Sequence, residues 1–392
     1  MIGERLTVGF AQRKRQSARR PIRITYVIPT LDQSGAERQL YLLASHLPPD
    51  IEPEVVALSR GGFYAEQLQA AGIPVTVLGK RFRFDPLTFV RLRSHLRRAR
   101  PDLVQSCLFA ANAYVRLPGV TPAATRVVVA ERCVDSWKSG WQLAMDRRLR
   151  QRMARMTANS AAVAEFYQQT VGIPPEQIEV IPNGLPLPPT SGSVEPSAPP
   201  VVDLRESLGL PQNARLVGFV GRLAVQKRLS DLIWAFHLLQ SVMDDVYLVI
   251  VGEGDQRQPL AELATRFGCR AKIFFTGHNP DATSLVSQLN AFCLPSEFEG
   301  MSNSLMEALA AGVPTVVSDI PANRELVEHE QTGFVFPLGD GPAMARALKK
   351  LLEDRPLAER VAAQGRSLMA ERHSLQQLVD RHVALYRQLT AI

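Results

Sequence analysis

Residues 215–251 read RLVGFVGRLAVQKRLSDLIWAFHLLQSVMDDVYLVIV, and their pattern is typical of one β-α-β unit. An apolar, β-branched run at Arg215–Val220 predicts a strand, and a second run at 247–251 predicts another. The intervening residues 230–242 predict a helix. Alternation of strand and helix favours parallel strands joined by crossover helices, so this segment indicates an α/β protein.

The same alternation continues through most of the chain in both directions. Before residue 184 we predict strands at 22–28, 54–58, 75–78, 103–105 and 126–129, and helices at 36–47, 86–100 and 141–153. After residue 251 we predict strands at 272–275, 291–294, 314–318 and 333–336, and helices at 258–268, 304–311, 342–352 and 357–389. The outcome is two doubly wound α/β domains of similar size. Such sheets bind ligands at the carboxyl ends of their strands, so two facing domains would form a cleft.

Changes in composition divide the chain into five segments. Residues 1–21 are basic and poor in apolar residues, and we expect a disordered leader there. Residues 22–184 form the first domain. Residues 185–200 hold six prolines and predict a linker. Residues 201–370 form the second domain, and residues 371–392 predict a helix that packs back on the first.

Composition and charge exclude several classes of protein. With 392 residues, 46% hydrophobic and 21% charged, the chain is globular and long enough for two domains. Its longest apolar runs are far shorter than the roughly 20 residues of a membrane span. Four cysteines without a Cys-x-x-Cys spacing are typical of reduced thiols in a cytosolic protein.

The formal net charge of +7 is divided unevenly between the two parts of the chain. Residues 1–200 carry 26 basic and 16 acidic residues, whereas residues 201–392 carry 19 and 22. A nucleic-acid partner is one explanation of such basicity. No recognisable nucleic-acid motif supports it, and aromatic residues make up only 7%. We therefore expect no nucleic-acid partner.

Three short clusters follow predicted strands and could bind an anion. Ser34-Gly35-Ala36-Glu37 starts a helix, where backbone N–H groups can approach a negative charge. Gly221-Arg222 precedes Lys227, and two cations behind a glycine turn can clamp a diphosphate. Gly252-Glu253-Gly254-Asp255 forms a third turn. Taken alone, the first and third are more typical of ordinary turns, and the second is equally typical of a solvated basic loop.

The fourth cluster, residues 296–308, reads SEFEGMSNSLMEA and is the most informative. Ser302 or Asn303 is a suitable N-cap, which places Glu299 in the loop before a helix and Glu307 within it. Free N–H groups at the helix start can hold a phosphate or sugar oxygen, while carboxylates accept hydrogen bonds from hydroxyl groups. A nucleotide sugar has both kinds of group. Two solvent-facing glutamates fit the apolar neighbourhood poorly.

Taken together, these clusters resemble the family 4 retaining glycosyltransferases of GT-B fold. The resemblance is carried by Glu299-x7-Glu307, Gly221-Arg222 with Lys227, residues 34–37, and the stretches 310–314 (AAGVP), 318–325 (SDIPANRE) and 331–334 (QTGF). It covers about residue 22 to the C-terminus and is most specific over residues 216–340. It implies two Rossmann-like domains facing a central cleft, with the acceptor in the first and a nucleoside-diphosphate sugar in the second.

The resemblance also implies roles for individual residues. Arg222 and Lys227 would bind the diphosphate and stabilise the leaving group. Glu299 would contact the donor sugar, helped by backbone N–H groups of Gly300, Met301 and Ser302. The remaining implied donor contacts come from Gly35, Gly221 and Glu307, the last through the ribose hydroxyls. The family works without a metal or other cofactor, and its donors here would be UDP- or GDP-sugars.

The acceptor side departs from the family pattern. Cys107 and Ala110 stand where histidines are expected, so Asn112 and Arg132 are the candidate polar groups for the acceptor. The basic residues of helix 86–100 are equally typical of a solvated helix face and of a contact with an anionic membrane surface, and the second favours a lipid-linked or polysaccharide acceptor. We therefore expect a cytoplasmic hexosyltransferase, peripheral at the inner face of the membrane. The alternatives are a degenerate GT-B protein that binds nucleotide sugar without transfer, and a GT-B epimerase or phosphorylase.

Overall fold

The computed structural model describes residues 20–187, 203–279 and 282–390. Predictions for the leader at 1–19 and for most of the proline-rich linker lie outside the described residues. The structure of the remainder consists of two α/β domains, each built around a parallel sheet.

The first domain contains a sheet of seven parallel strands in the order β3-β2-β1-β4-β5-β6-β7. Its strands are β1 (Ile22–Thr30), β2 (Ile51–Arg60), β3 (Val75–Val77), β4 (Leu103–Cys107), β5 (Arg126–Glu131), β6 (Arg155–Ala158) and β7 (Ile178–Val180). Its helices are α1 (Gly35–Ser45), α2 (Phe63–Ala70), α3 (Pro86–Ala99), α4 (Leu108–Arg116), α5 (Gly140–Leu149) and α6 (Ala161–Val171).

The second domain contains a sheet of six parallel strands in the order β10-β9-β8-β11-β12-β13. Its strands are β8 (Arg215–Val220), β9 (Val246–Val251), β10 (Ile273–Gly277), β11 (Ala291–Leu294), β12 (Thr315–Ser318) and β13 (Phe334–Phe336). The helices of this part of the chain are α7 (Leu204–Ser207), α8 (Leu229–Gln240), α9 (Arg257–Arg266), α10 (Ala282–Val286), α11 (Asn303–Ala310), α12 (Pro321–Arg324), α13 (Gly341–Glu353), α14 (Arg355–Arg372) and α15 (Leu375–Thr390).

Both sheets have the strand order of the Rossmann fold, which confirms the predicted fold class. In each sheet the chain first moves outward to one edge and then returns to the other side of the first strand. The reversal lies between β1 and β4 in the first domain and between β8 and β11 in the second. Loops that follow these strands diverge to opposite faces and leave a crevice, where such folds bind their ligands.

The last helix belongs structurally to the first domain. Leu378, Val383 and Tyr386 of α15 are buried with Ile24 and Tyr26 of β1. The Tyr386 hydroxyl donates a hydrogen bond to Gln105 Oε1 at 2.7 Å. Ile181 is buried in the core of the first domain and Leu185 in that of the second, so the chain first crosses between the domains near residue 183. Because α14 packs on the second domain, the chain crosses back near residue 374.

Several predicted bounds differ from the structure for local reasons. The helix predicted at 141–153 ends at Leu149 and continues as one 3-10 turn. The helix predicted at 357–389 is interrupted after Arg372, where the chain leaves one domain for the other. Helices α2, α4, α6, α7, α10 and α12 and strands β6 and β7 were not predicted. Helix α4 starts directly from β4 without a polar loop, and β6 and β7 contain only four and three residues.

No helix in the described part of the chain is both long enough and apolar enough to cross a membrane.

Candidate active site

A cleft of about 800 Å³ lies between the two domains, at the carboxyl ends of both sheets. Its walls come from the loops after β1 and β8 and from the loop that joins β11 to α11. Most of the residues predicted to bind a donor line this cleft. They are Gly35, Gly221, Arg222, Lys227, Glu299, Met301, Ser302 and Glu307.

The loop after β8 brings two cations to one wall. Gly221 has a φ of +153°, a conformation that L side chains rarely adopt. Its carbonyl also lies so close to Gly252 that a Cβ there would be 1.9 Å from the Gly221 oxygen. The two glycines let the loops after β8 and β9 pack together. Arg222 is left exposed in the cleft, with Lys227 on the same wall.

Lys227 forms an ion pair with Glu299, which is buried in the loop after β11. The Glu299 carbonyl accepts a hydrogen bond from the Val134 backbone N–H at 3.2 Å, which connects this loop to the first domain. Gly300 pairs with Cys133 in an antiparallel bridge beside it. Gly300 is therefore part of the contact between the domains and is not among the residues that line the cleft.

Helix α11 begins at the cleft and carries Glu307 on its second turn. The Ser302 hydroxyl caps the helix by accepting a hydrogen bond from Leu305 N–H at 3.4 Å, as predicted. Glu307 is buried and forms an ion pair with Arg38, which comes from α1 of the other domain. Burial lowers the pKa of the Arg38 guanidinium. The Glu307 carboxylate thus faces the Arg38 guanidinium across the cleft.

Gly35 lies at the start of α1, opposite the start of α11. A Cβ at this position would lie 3.1 Å from the Asn303 side-chain nitrogen, which itself donates to the Gly35 carbonyl at 3.1 Å. Asn303 also accepts hydrogen bonds from Gln39 and Asn183 at 3.2 and 2.8 Å. The two helix N-termini are thus held together by one amide side chain.

The two acceptor-side candidates have different positions. Arg132 lines the cleft, and its guanidinium donates to the Asn183 side-chain oxygen. Asn112 does not: it is completely buried, with its side-chain nitrogen donating to Ala130 O and Glu131 Oε1 at 3.2 and 2.9 Å. The prediction that Asn112 lines the cleft was wrong, because its helix turns that face toward β5.

Cys107 and Ala110, the two positions that depart from the family pattern, lie in different surroundings. Cys107 is buried, and burial raises the pKa of its thiol to about 11. Leu108 has a φ of +70° and lines the cleft. Ala110 lines a different cavity, on the outer side of the first domain. Neither of the two departing positions therefore places a side chain in the cleft, whereas the aliphatic Leu108 between them does.

Sequence reasoning missed several residues that join the domains at the cleft. Arg38 directly follows the motif at 34–37 and was not singled out. His278 contacts the Gln33 side-chain oxygen at 2.7 Å across the cleft. Glu325 accepts hydrogen bonds from the backbone N–H groups of Ala161 and Ala162, both at 2.9 Å, and so caps α6 of the opposite domain. Arg38 had a local signal, its adjacency to a motif, and Glu325 is the last residue of the stretch 318–325, whereas His278 had no signal in the sequence.

A buried charge network anchors the segment that carries Arg132 and Cys133. Lys138 is fully buried, 3.0 Å from carboxylate oxygens of both Asp135 and Asp146 and 3.7 Å from Glu131. Burial raises the pKa of Glu131 to about 7, and the Lys138 ammonium opposes that effect. The network connects the segment after β5 to β5 itself and to α5, next to the point where Arg132 enters the cleft.

Among the described residues, no group of three or more His, Cys, Asp or Glu side chains is placed to hold a metal ion.

Two facing Rossmann-like domains with a polar cleft between their switch points define a GT-B fold. Family models match both parts of the chain: Glycosyltransferase Family 4 over residues 33–187, and Glycosyl transferases group 1 over residues 202–368. The chain belongs to the family 4 glycosyltransferases.

Curated relatives match this chain over part of its length. It is 31% identical to the lipopolysaccharide core biosynthesis glycosyltransferase LpsD of Rhizobium meliloti, over 48% of this chain and 53% of that protein. It is 32% identical to the UDP-Gal:alpha-D-GlcNAc-diphosphoundecaprenol alpha-1,3-galactosyltransferase of Escherichia coli, over 47% and 48% respectively. The chain thus spans about half the length of the curated relatives it matches.

A solved structure matches along nearly the whole chain. The crystal structure of Anabaena HepE in complex with UDP-glucose superposes with a TM-score of 0.82, covering 94% of this chain and 100% of that one. The identity is 22%, so this similarity establishes the fold alone.

Proposed function

We propose that this protein transfers a hexose-type sugar from a nucleoside-diphosphate sugar to a hydroxyl group of an acceptor, with retention of anomeric configuration. The observation that carries the proposal is the meeting of two helix N-termini, four cationic side chains and three carboxylates around one cleft. Anionic phosphates and sugar hydroxyls require that combination of groups. The solved structure with UDP-glucose supports the proposed type of donor.

The charges of the cleft suggest how the donor would be oriented. Arg222 and Lys227 would bind the diphosphate from one side, while the N–H groups at the start of α1 face it from the other. Glu307 would accept hydrogen bonds from the ribose hydroxyls. Glu299, together with the backbone at Met301 and Ser302, would contact the donor sugar. The nucleoside would then lie toward the second domain and the sugar toward the first.

Bond cleavage places negative charge on the departing diphosphate. A guanidinium and an ammonium group already positioned at that charge stabilise it without reorganisation, and each such donor contributes a few kcal/mol in known enzymes. In our proposal this role belongs to the side chains of Arg222 and Lys227 and needs no metal ion. The departing phosphate oxygen would take the acceptor proton, as front-face attack requires.

We propose an acceptor that is lipid-linked or part of a growing polysaccharide, at the cytoplasmic face of a membrane. The names of the curated relatives support a role in cell-envelope glycans. The basic first domain supports a location beside anionic lipid.

The direct test is donor binding and turnover. We expect the chain to bind one of UDP, GDP or ADP and to release that diphosphate from its sugar only when acceptor is present. Arg222→Ala should lower both affinity and turnover, whereas Arg346→Ala, an exposed arginine on α13 outside the cleft, should change neither. Equal behaviour of the two variants would contradict the assignment of the diphosphate site.

A protein that binds nucleotide sugar without transferring it is the second candidate. It is favoured by Leu108 in the cleft and by the burial of Cys107, because neither can assist an acceptor hydroxyl. Donor binding without diphosphate release in the presence of cell-envelope extracts would favour this candidate. Release of diphosphate without acceptor, or interconversion of free nucleotide sugars, would instead favour the epimerase alternative.

A further inference from the structure

A second cavity, of about 430 Å³, opens on the outer side of the first domain between α3, α4 and α5. We call it the aromatic groove. Its walls are mainly apolar and come from Phe84, Phe89, Phe109, Ala110, Trp141 and Met145. Its volume falls within the range of ordinary small-molecule sites. The proposed transferase chemistry makes no use of it.

Large apolar side chains are exposed at the mouth of the aromatic groove. Phe84 is 65% exposed, and Leu87 on the first turn of α3 is 59% exposed. Trp141 lies between two rings, with centroids 5.8 Å from both Phe84 and Phe109. An exposed apolar patch around a cavity is typical of a binding surface, and tryptophan is favoured where apolar and aqueous surroundings meet.

Positive charge surrounds the same opening. Lys80 and Arg83 line the groove, and the Arg83 guanidinium lies 4.5 Å from the centre of the Trp141 ring. Asp85 also lines it, but its carboxylate accepts hydrogen bonds from the backbone N–H groups of Arg81 and Leu87 and caps α3. The polar rim therefore attracts an anion while the walls attract hydrocarbon.

The groove adjoins the cleft through the first turn of α4. Leu108 lines the cleft, whereas the next two residues, Phe109 and Ala110, line the groove. A ligand at the groove would therefore be one helical turn from the wall of the cleft opposite the donor site. This proximity favours the acceptor over the nucleotide as the occupant of the groove.

We propose that the aromatic groove binds the phosphorylated lipid of a lipid-linked acceptor. The hydrocarbon chain next to the phosphate would lie against Phe84, Phe109 and Trp141, and the phosphate would lie at Lys80 and Arg83. This inference rests on the proposed transferase function and selects the lipid-linked acceptor over a free polysaccharide.

The test uses dodecyl phosphate below its micelle concentration as the probe, with inorganic phosphate as the comparison. In a Trp137→Phe, Trp234→Phe background Trp141 is the one remaining tryptophan, so fluorescence reports on the groove. We expect dodecyl phosphate, and not inorganic phosphate, to change that fluorescence with saturation. Phe84→Ser should weaken binding at least about tenfold, since burial of one large side chain is lost.

Two further variants distinguish dodecyl phosphate binding in the groove from nonspecific adsorption to an apolar surface. Ala110→Leu fills the groove without removing apolar area, and we expect it to block dodecyl phosphate. Arg83→Ser should weaken dodecyl phosphate binding. Val242→Ser and Arg346→Ser, exposed positions of the second domain, are the matched controls and should change nothing.

Three results would overturn the inference. The first is unchanged dodecyl phosphate binding in Ala110→Leu. The second is a wild-type chain that ignores dodecyl phosphate yet binds phosphatidylglycerol vesicles through Phe84, which would make the patch a membrane contact only. The third is self-association abolished by Phe84→Ser, which would assign the patch to a second copy.

Nucleotide binding is measured on the same samples so that the two proposals can fail separately. Dodecyl phosphate binding without binding of UDP, GDP or ADP would remove the transferase proposal and leave a lipid-phosphate site. Nucleotide binding without dodecyl phosphate binding would remove the lipid-phosphate site and leave the transferase proposal.

Discussion

The ion pair between Arg38 and Glu307 joins the two domains across the cleft. Glu307 is buried on α11, and its partner comes from the opposite domain. A buried carboxylate needs a positive charge or several hydrogen-bond donors. Arg38 supplies the charge in the absence of donor, and ribose hydroxyls would add hydrogen bonds when donor binds. Glu307 is thus paired with a positive charge at the wall of the cleft.

We predict that Glu307→Gln weakens binding of the cognate nucleoside diphosphate by about tenfold to a hundredfold, because a hydrogen bond to a charged group contributes roughly 1.5–3 kcal/mol. Isothermal titration calorimetry measures the change. Glu359→Gln, at an exposed position on α14, is the control. Similar affinities for the two variants would argue against a ribose contact at Glu307.

The Cys107 thiol should be chemically inert in the native protein. Burial raises its pKa to about 11 from a usual value of 9.0, so the thiolate is scarce at neutral pH. We predict slow alkylation of Cys107 by iodoacetamide at pH 8 and rapid alkylation in urea, followed by mass spectrometry. Fast modification of the native protein would show an accessible thiolate instead.

The raised pKa of the Cys107 thiol makes the stability of the protein depend on pH in the alkaline range. Between about pH 9 and pH 11 the unfolded chain loses the Cys107 proton while the native chain retains it. Below the pKa of the thiol in the unfolded chain, Cys107 makes its full contribution to the stability of the native state. That contribution is lost as the pH rises from about 9 to about 11. Cys107→Ala should flatten the decline in the free energy of unfolding over this range.

At the scale of elements, the contact between the loop before α11 and the segment after β5 positions the cleft. Gly300 allows this contact because a Cβ there would lie 2.1 Å from the Arg132 carbonyl oxygen and 2.7 Å from the Asn159 side-chain oxygen. Any larger residue must push the two domains apart at this point. Arg132 and Glu299, which flank the contact, would then lose their relative position.

We predict that Gly300→Ala reduces turnover by at least about tenfold, since small displacements of positioned groups are costly to catalysis. The measured quantity is kcat/KM for the nucleotide sugar. Gly140→Ala is the matched control, because its Cβ would meet nothing within 4 Å. Full activity of Gly300→Ala would show that the domains tolerate separation here.

At the scale of the whole molecule, α15 makes the C-terminus part of the first domain. Its residues complete one of the two apolar cores of that sheet, and the Tyr386 hydroxyl lies 3.0 Å from that of Tyr26. Burial raises the pKa of both phenols well above their usual value. Strand β1 and helix α15 therefore depend on each other for folding.

We predict that Tyr386→Ala lowers the free energy of unfolding of the first domain by about 3–5 kcal/mol, as for other large buried residues. Tyr386→Phe should cost only about 1 kcal/mol, the usual contribution of a hydrogen bond. Urea denaturation followed by hydrogen exchange in β1 distinguishes the two. Equal losses would place the stabilisation in the hydroxyl network and not in packing.

The alternation of strands and helices, the two-domain organisation and the loop-to-helix position of Glu299 and Glu307 were predictable from the sequence. These features depend on residues close together in the chain: β-branched runs, glycine turns and a serine cap act within about ten residues. For the same reason most predicted donor-side residues line one cleft, because strand ends of a parallel sheet meet at one edge.

Only the tertiary structure decided which side chains meet across the domains. Asn112 resembled a cleft residue in the sequence, yet its face of α4 turns toward β5. Arg38 and Glu307 are 269 positions apart, and Ala110 lies in a groove formed by helices remote in sequence. Such contacts are fixed by how the sheets and helices pack, and packing depends on distances that no local pattern contains. The sequence therefore determined the elements and the chemistry available, while the packing of the two domains determined where that chemistry is placed.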